Sequence, residues 1–325
     1  MPTLFVATAG GHLTQLFDIA DRLPPDVDDV AIWATNENAQ SRSLLAEKHA
    51  VFVPEVATRD YLGAVRSQTV AHRLHREWKF TRVVSTGAAL AMGYLPYLAL
   101  RGVHAHYIES ATRLSGPSLT GRLLGAVPGI RLYTQYEHWA NGRWQYAGCV
   151  FDRFEAVRQP GTPLVKRAVV AVGTMDDYAF RRFFDTLVPL LRPGGALERA
   201  QGAPVETLWQ TGCTSTAGLD IDARPWVPAA ELDAEIANAD LVVTHAGTGS
   251  ALTALSAGRY PVLIPRDPVR NEIGDAHQHL LAYELDKRGI ALHREPESVT
   301  VDDLLRAASI RIESTATAAP IRLRA

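Results

Sequence analysis

The strongest constraint on the fold of this chain is a twice-run alternation of short apolar segments with longer amphipathic ones. In the first half, strand-length apolar runs at 3–8, 30–34, 51–54, 82–86, 104–108 and 130–134 are separated by helical stretches such as 13–22 and 68–79. A second series begins at 168–173 and continues through 205–210, 241–244, 261–265 and 289–293, with helices expected near 178–191, 229–238, 249–257 and 276–288. Strands covered by helices on both faces read as continuous apolar runs, so the pattern predicts α/β units with parallel sheets. Gln159-Pro160-Gly161-Thr162-Pro163 admits no regular element and marks a hinge. The expectation is two Rossmann-like, doubly wound domains, 1–160 and 161–312, facing each other across a cleft, with residues 313–325 as a fraying tail. A length of 325 residues suits two ordinary domains. Ligands in such sheets lie beyond the carboxyl ends of the strands.

Composition excludes several alternatives. Hydrophobic residues make up 47% and charged residues 21%, as in a soluble globular protein. No uninterrupted apolar run reaches the eighteen or so residues a spanning helix needs. The start, Met1-Pro2-Thr3-Leu4-Phe5-Val6, reads as a first strand rather than a leader, so the cytoplasm is the expected compartment. Cys149 and Cys213 are too few for a disulfide framework or a zinc knuckle. The net charge is −2, yet residues 59–143 hold 11 Lys/Arg against 4 Asp/Glu. That excess is too dispersed for a nucleic-acid groove; it fits either a solvated basic face or peripheral contact with an anionic membrane.

The most chemically informative run is 239–250, where the strand Leu241-Val242-Val243-Thr244 leads into His245-Ala246-Gly247-Thr248-Gly249-Ser250. Glycine lets a backbone approach a ligand closely, and the N–H groups of a first helical turn favour negative charge. Farther on, Asp275-Ala276-His277-Gln278 offers a carboxylate and an amide suited to sugar hydroxyls. Neither Gly10-Gly11 nor Gly247-Thr248-Gly249 completes a dinucleotide fingerprint, because Leu252 holds the last glycine's place. After the first strand, Ala9-Gly10-Gly11-His12 opens a helix; His12 reads either as an acid/base group or as a structural histidine. Glu109 ends an apolar strand and is equally a second acid/base candidate or a structural cap. Gly173, Thr174, Thr211 and Gly212 close strands with small residues, and each either borders phosphates or makes a tight turn. Trp226 and Val227 either hold a nucleobase or belong to the core. Residues 113–131 combine leucines with three arginines and read as a core-facing helix or as an interfacial patch.

Together these segments resemble the GT-B glycosyltransferases of family 28. Gly10-Gly11-His12, residues 107–113 and 118–124 are similar to the membrane-recruiting, acceptor-side subunit of the dolichol-diphosphate N-acetylglucosaminyltransferases. Residues 171–174, 240–250 and 275–278 are similar to the catalytic, donor-side subunit. The lipid II-forming enzymes and bacterial capsule or exopolysaccharide transferases share the arrangement. The resemblance implies an inverting transfer of a hexose from a UDP-sugar to a saccharide acceptor on a prenyl diphosphate, with no cofactor; no Asp-x-Asp pair stands where it would hold a divalent ion, so no metal is expected. It implies that Gly11, Gly173, Thr174, Thr211, Gly212 and the run His245, Ala246, Gly247, Thr248, Gly249 and Ser250 meet the donor. Trp226 and Val227 would flank the uracil, Asp275 and Gln278 would take the sugar, and His12 or Glu109 would be the base. Two features depart from the family. Thr253 stands where relatives carry the ribose-binding Glu, and a hydroxyl cannot grip two hydroxyls as a carboxylate does. The recruiting subunit's N-terminal anchor has no counterpart here, so any membrane contact would be peripheral. The rival readings are a UDP-sugar epimerase or hydrolase on the same fold and a non-catalytic UDP-sugar-binding subunit.

Overall fold

The structure, a computed structural model, describes residues 2–24, 30–56, 60–173, 178–315 and 320–324. The chain divides into two compact units: Met1–Asp152 together with Ala318–Ala325, and Arg153–Thr317. The divide falls ahead of the Pro/Gly hinge read at 159–163, because residues 154–158 already form a strand of the second unit.

In the first unit the strands are β1 (Pro2–Ala7), β2 (Val30–Asn36), β3 (His49–Val53), β4 (Arg82–Gly87), β5 (His104–Ile108), β6 (Ile130–Thr134) and β7 (Trp144–Tyr146). They pair in parallel in the order β3-β2-β1-β4-β5-β6-β7. The helices are α1 (Gly11–Asp21), α2 (Ala39–Leu44), α3 (Tyr61–Trp78), α4 (Ala89–Ala99) and α5 (Leu119–Gly125). One face of the sheet buries Leu4, Ile32 and Val83 against Leu74 of α3 and Leu90, Tyr94 and Leu98 of α4. Gly93 lets those two helices touch, since a Cβ there would lie 1.9 Å from Ser67 Oγ. On α1, Leu13, Leu16 and Ile19 are buried, and the Phe5 and Trp33 rings stack at 4.7 Å.

The second unit has β8 (Phe154–Arg158), β9 (Arg167–Ala171), β10 (Glu206–Gln210), β11 (Ala223–Arg224), β12 (Leu241–His245), β13 (Val262–Ile264), β14 (Leu292–His293) and β15 (Ile310–Ser314). Its parallel sheet runs β11-β10-β9-β12-β13-β14, and β8 pairs antiparallel with β15. The helices are α6 (Arg181–Leu191), α7 (Ala196–Gln201), α8 (Ala229–Asn238), α9 (Thr248–Ser256), α10 (His277–Lys287) and α11 (Val301–Ala308). Val169, Val242, Ile236 and Ala254 share one core cluster, while Phe180, Phe183, Phe184 and Leu187 are fully buried along α6.

The sequence reading has the chain fray from 313, but Glu313 and Ser314 complete β15. Farther on, Ile321 is buried and its N–H donates to the Arg22 carbonyl (3.1 Å). Ladder bonds and an apolar anchor outweigh the small, polar composition at these positions. Among the described residues, no helix is long and apolar enough to cross a membrane.

Candidate functional site

Each parallel sheet reverses its winding once, between β1 and β4 in the first unit and between β9 and β12 in the second. Loops diverge at such a point and leave a crevice beyond the strand ends. In each unit a histidine lies there against a glycine of the neighbouring chain segment.

In the second unit β12 ends at His245, and α9 begins three residues later behind Gly247. No side chain caps this helix. The Gly247 N–H is taken by the His245 carbonyl (2.8 Å), which leaves the first-turn N–H groups of Thr248, Gly249 and Ser250 without intrahelical acceptors. The hydroxyl of Thr248 is buried and has no hydrogen-bond partner. Both glycines make room for the histidine: a Cβ on Gly247 would stand 2.4 Å from His245 Nε2, and one on Gly173 3.0 Å from it. The Gly173 N–H donates to His245 Nδ1 (3.1 Å). An amide can only donate, so Nδ1 is an acceptor and Nε2 carries the ring proton. Burial first, and then the positive charge of Arg266, push the His245 pKa down to about 3. At neutral pH the ring is therefore an uncharged donor.

Other residues expected at the donor separate into those near this edge and those serving the fold. A Cβ on Gly212 would lie 2.7 Å from the Gly173 carbonyl, so the segments after β9 and β10 meet backbone to backbone. The buried Thr211 donates its N–H to the Arg224 carbonyl (2.9 Å). Ala246 is fully buried, Thr253 is half-buried on α9, and Thr174 lies outside the described residues. Trp226 is 54% exposed, whereas Val227 is core and donates its N–H to Gln210 Oε1 (3.0 Å). Of that pair, only the tryptophan presents a surface to a base. Asp275 accepts the His277 N–H (3.1 Å) and pairs with that residue's Nδ1, as a helix-start carboxylate does. Gln278 is buried, and its amide oxygen accepts the Arg266 N–H (3.0 Å). That bond ties α10 to the end of β13, which is why a polar residue sits on the inner face of the helix.

Sequence reasoning passed over Arg266. It is 1% exposed, and none of its three guanidinium nitrogens has a hydrogen-bond partner. The available signal was an arginine standing directly at the end of the apolar run 261–265. A three-ligand cluster also went unread: His279, His293 and Glu295 bring nitrogen and oxygen ligand atoms within 4.8 Å of one another.

In the first unit, α1 starts behind Gly10, whose φ of +98° suits glycine. His12 on its first turn donates from Nδ1 to the Thr86 carbonyl at the end of β4 (2.7 Å), and the Thr86 hydroxyl returns a bond to the His12 carbonyl (2.7 Å). A carbonyl can only accept, so Nε2 is the basic atom of this ring. Gly87, with φ +108°, gives the ring its space: a Cβ there would be 3.1 Å from His12 Cε1. Gly11 is half-buried between these groups.

Glu109 is 1% exposed, and donors engage both of its oxygens. Oε1 accepts from the Tyr107 hydroxyl (3.1 Å) and the Ser110 N–H (3.0 Å). Oε2 accepts from the N–H (2.8 Å) and hydroxyl (2.9 Å) of Ser118. The structural alternative describes this arrangement: the carboxylate clamps the start of α5 to the end of β5, and its lone pairs face the protein's own donors. On α5, Leu124 is buried while Leu119 and Leu123 are 51% and 39% exposed, so the stretch is part core and part apolar surface.

Residues 210–311 match the glycosyltransferase family 28 C-terminal domain. Over 70 residues the chain is 40% identical to the UDP-N-acetylglucosamine transferase subunit ALG13 of Yarrowia lipolytica, a match covering 21% of this chain and 34% of that one. The chain thus spans about a third of the length of this curated relative. Among solved structures, MurG of Acinetobacter baumannii superposes with a TM-score of 0.54 at 17% identity, covering 94% of this chain and 88% of MurG. The glycosyltransferase SnogD of Streptomyces nogalater gives 0.55 at 20% identity, covering 95% and 90%. At such identities the likeness is one of fold, and the fold is that of the GT-B glycosyltransferases.

Proposed function

We propose that this chain, which carries a glycosyltransferase family 28 C-terminal domain within a GT-B fold, is a glycosyltransferase moving a hexose from a UDP-sugar to a lipid-linked saccharide. The observation that carries the reading is the edge at Gly247: open N–H groups at the start of α9, a partnerless Thr248 hydroxyl and a neutral, proton-donating His245. All are donors suited to a leaving diphosphate, whose charge grows as the anomeric C–O bond breaks. The ALG13 match, to a UDP-N-acetylglucosamine transferase subunit, supports uridine as the base.

In the first unit His12 is the base of choice. Its Nε2 takes the proton of the acceptor hydroxyl as that oxygen attacks the anomeric carbon. The electron pair of the broken bond leaves on the diphosphate, and attack opposite the departing group inverts the centre. Helix N–H groups and side-chain donors meet the charge of the leaving diphosphate, so the reaction runs without a metal ion. The exposed Leu119 and Leu123 beside Arg122 support peripheral contact with an anionic membrane at its cytoplasmic face, where a prenyl-diphosphate acceptor would reside.

The test is a thermal-shift series with UDP, dTDP and GDP, followed by transfer assays with UDP-hexoses and a prenyl-diphosphate saccharide in the presence of EDTA. A ligand at 100 times its Kd adds about 2.7 kcal/mol of stability. UDP should stabilise most, and product should form only with acceptor present. Consumption of UDP-sugar without acceptor would favour an epimerase or hydrolase, and binding without turnover a non-catalytic subunit.

A further inference from the structure

An arginine buried with no hydrogen-bond partner is costly to keep, because desolvation of its charge is only partly offset. Such a group calls for an explanation in what the empty protein lacks. In the second unit β12 and β13 run parallel with His245 opposite Ile264. Two residues farther along each segment stand Gly247 and Arg266, so the arginine leaves the sheet at the level of the glycine turn. Its Cζ lies 5.6 Å from the centre of the Phe180 ring, just before α6 on the segment that follows β9. The guanidinium therefore lies beyond the end of β13, against Phe180 and near enough to His245 at the end of β12 for its charge to act on that ring. The Glu272 carboxylate is near enough to favour this charge but makes no hydrogen bond to it, being engaged by Arg182 (Nε to Oε1 2.8 Å, Nη2 to Oε2 3.0 Å) and by the Asp267 N–H (2.9 Å).

Two polar groups without hydrogen-bond partners thus stand on segments at one end of the sheet, the Thr248 hydroxyl and the Arg266 guanidinium, where α9 starts with no side-chain cap. We propose that Arg266 is the standing counter-charge of an anion site at the start of α9, and that its ligand is the diphosphate of a nucleoside diphosphate. This rests on the donor-site reading above and deepens it by naming the cation. The Phe180 ring meets the guanidinium through its π face, and the buried N–H groups, which have no acceptor of the protein's own, are the donors that phosphate oxygens would engage. Removing that charge should help the empty protein and harm the occupied one.

The experiment uses the full chain with Arg266→Met and Arg266→Gln, measuring the thermal midpoint without ligand and affinities for UDP, inorganic pyrophosphate and uridine. The expected result for Arg266→Met is an unliganded midpoint equal to or above wild type. UDP and pyrophosphate should bind about 10- to 100-fold more weakly, and uridine as before. Arg266→Gln, which keeps a polar side chain should the methionine variant fail to fold, should show the same loss for UDP. A lower unliganded midpoint in Arg266→Met with UDP affinity retained would mean that a carboxylate of this chain is the partner, and would overturn the proposal. So would unchanged UDP affinity in both variants, or a wild type that binds neither UDP nor pyrophosphate. If wild type binds pyrophosphate through Arg266 but not UDP, the anion site stands and the uridine-donor reading fails.

Discussion

Replacing Glu109 by glutamine separates its two roles, and the structure sets the size of the effect. The substitution keeps the shape of the side chain and exchanges one acceptor oxygen for an NH2 group. On the Oε1 side that group would face the Ser110 N–H, and on the Oε2 side the Ser118 N–H. Both are backbone amides that can only donate, so neither flip of the new amide escapes a donor–donor clash. One buried N–H is orphaned, at about 1–3 kcal/mol, and the remaining bonds lose their charge assistance. A loss of roughly 2–4 kcal/mol follows, equivalent to about 5–15 °C in the midpoint of a domain of this size. The assay pairs calorimetric unfolding with turnover measured well below both transitions. A large drop in midpoint with turnover nearly preserved is the expected pair of results. An unchanged midpoint with turnover lost would make Glu109 the base and refute the clamp.

His12→Ala should cut turnover by about 10²- to 10⁴-fold, the usual worth of a positioned general base, while the UDP-induced thermal shift stays the same; normal turnover would move the role elsewhere. Gly247→Ala places its methyl 2.4 Å from His245 Nε2, so the ring must leave its bond with the Gly173 N–H. A loss of about 1–3 kcal/mol in urea unfolding is expected, and adding His245→Ala should remove the part due to the clash. His245, and His106 on β5, are pushed down to about 3, in both cases by burial first. Folded, they stay neutral, whereas the unfolded chain takes up these protons below about 6.5. The stability they contribute is therefore complete above that pH and lost towards pH 3, by about 1.4 kcal/mol per pH unit for each histidine. Urea unfolding at pH 7, 6 and 5 reads the slope, and His106→Phe should flatten it.

Much of the sheet framework was legible because a strand buried on both faces needs an unbroken apolar run, which leaves little ambiguity. What escaped did so for local reasons. Helix α4 is apolar on nearly all sides and contains Pro96, so it shows no helical period. Strands β8 and β15 read Phe-Glu-Ala-Val-Arg and Ile-Arg-Ile-Glu-Ser, with charges on a two-stranded ribbon that no core requires. At the site, the Gly247 turn could be read because glycine and a helix start each have a physical signature. Glu109 and Gln278 could not, since a carboxylate or amide that binds a ligand and one that binds its own backbone have the same letters. Arg266 had a signal, an arginine directly after an apolar run, but its burial without a hydrogen-bond partner emerges only from the packing around it.

Under the proposed function, the two histidines at the switch points give similar-looking loops opposite chemistry. His12 and His245 each follow a first strand or a sheet-centre strand and pack against a neighbouring glycine, Gly87 and Gly173. The difference is a single backbone group. A carbonyl, from Thr86, meets Nδ1 of His12 and makes Nε2 basic. An amide, from Gly173, meets Nδ1 of His245 and makes Nε2 a donor. One ring can thus accept a proton from an attacking hydroxyl, while the other, held neutral by burial, can only offer a hydrogen bond to a departing anion. Exchanging the pairing would put a donor where a proton must be taken up and a base beside the diphosphate. The roles proposed for the two rings therefore rest on whether a carbonyl or an amide meets Nδ1, and each proposed role is lost if that peptide turns over.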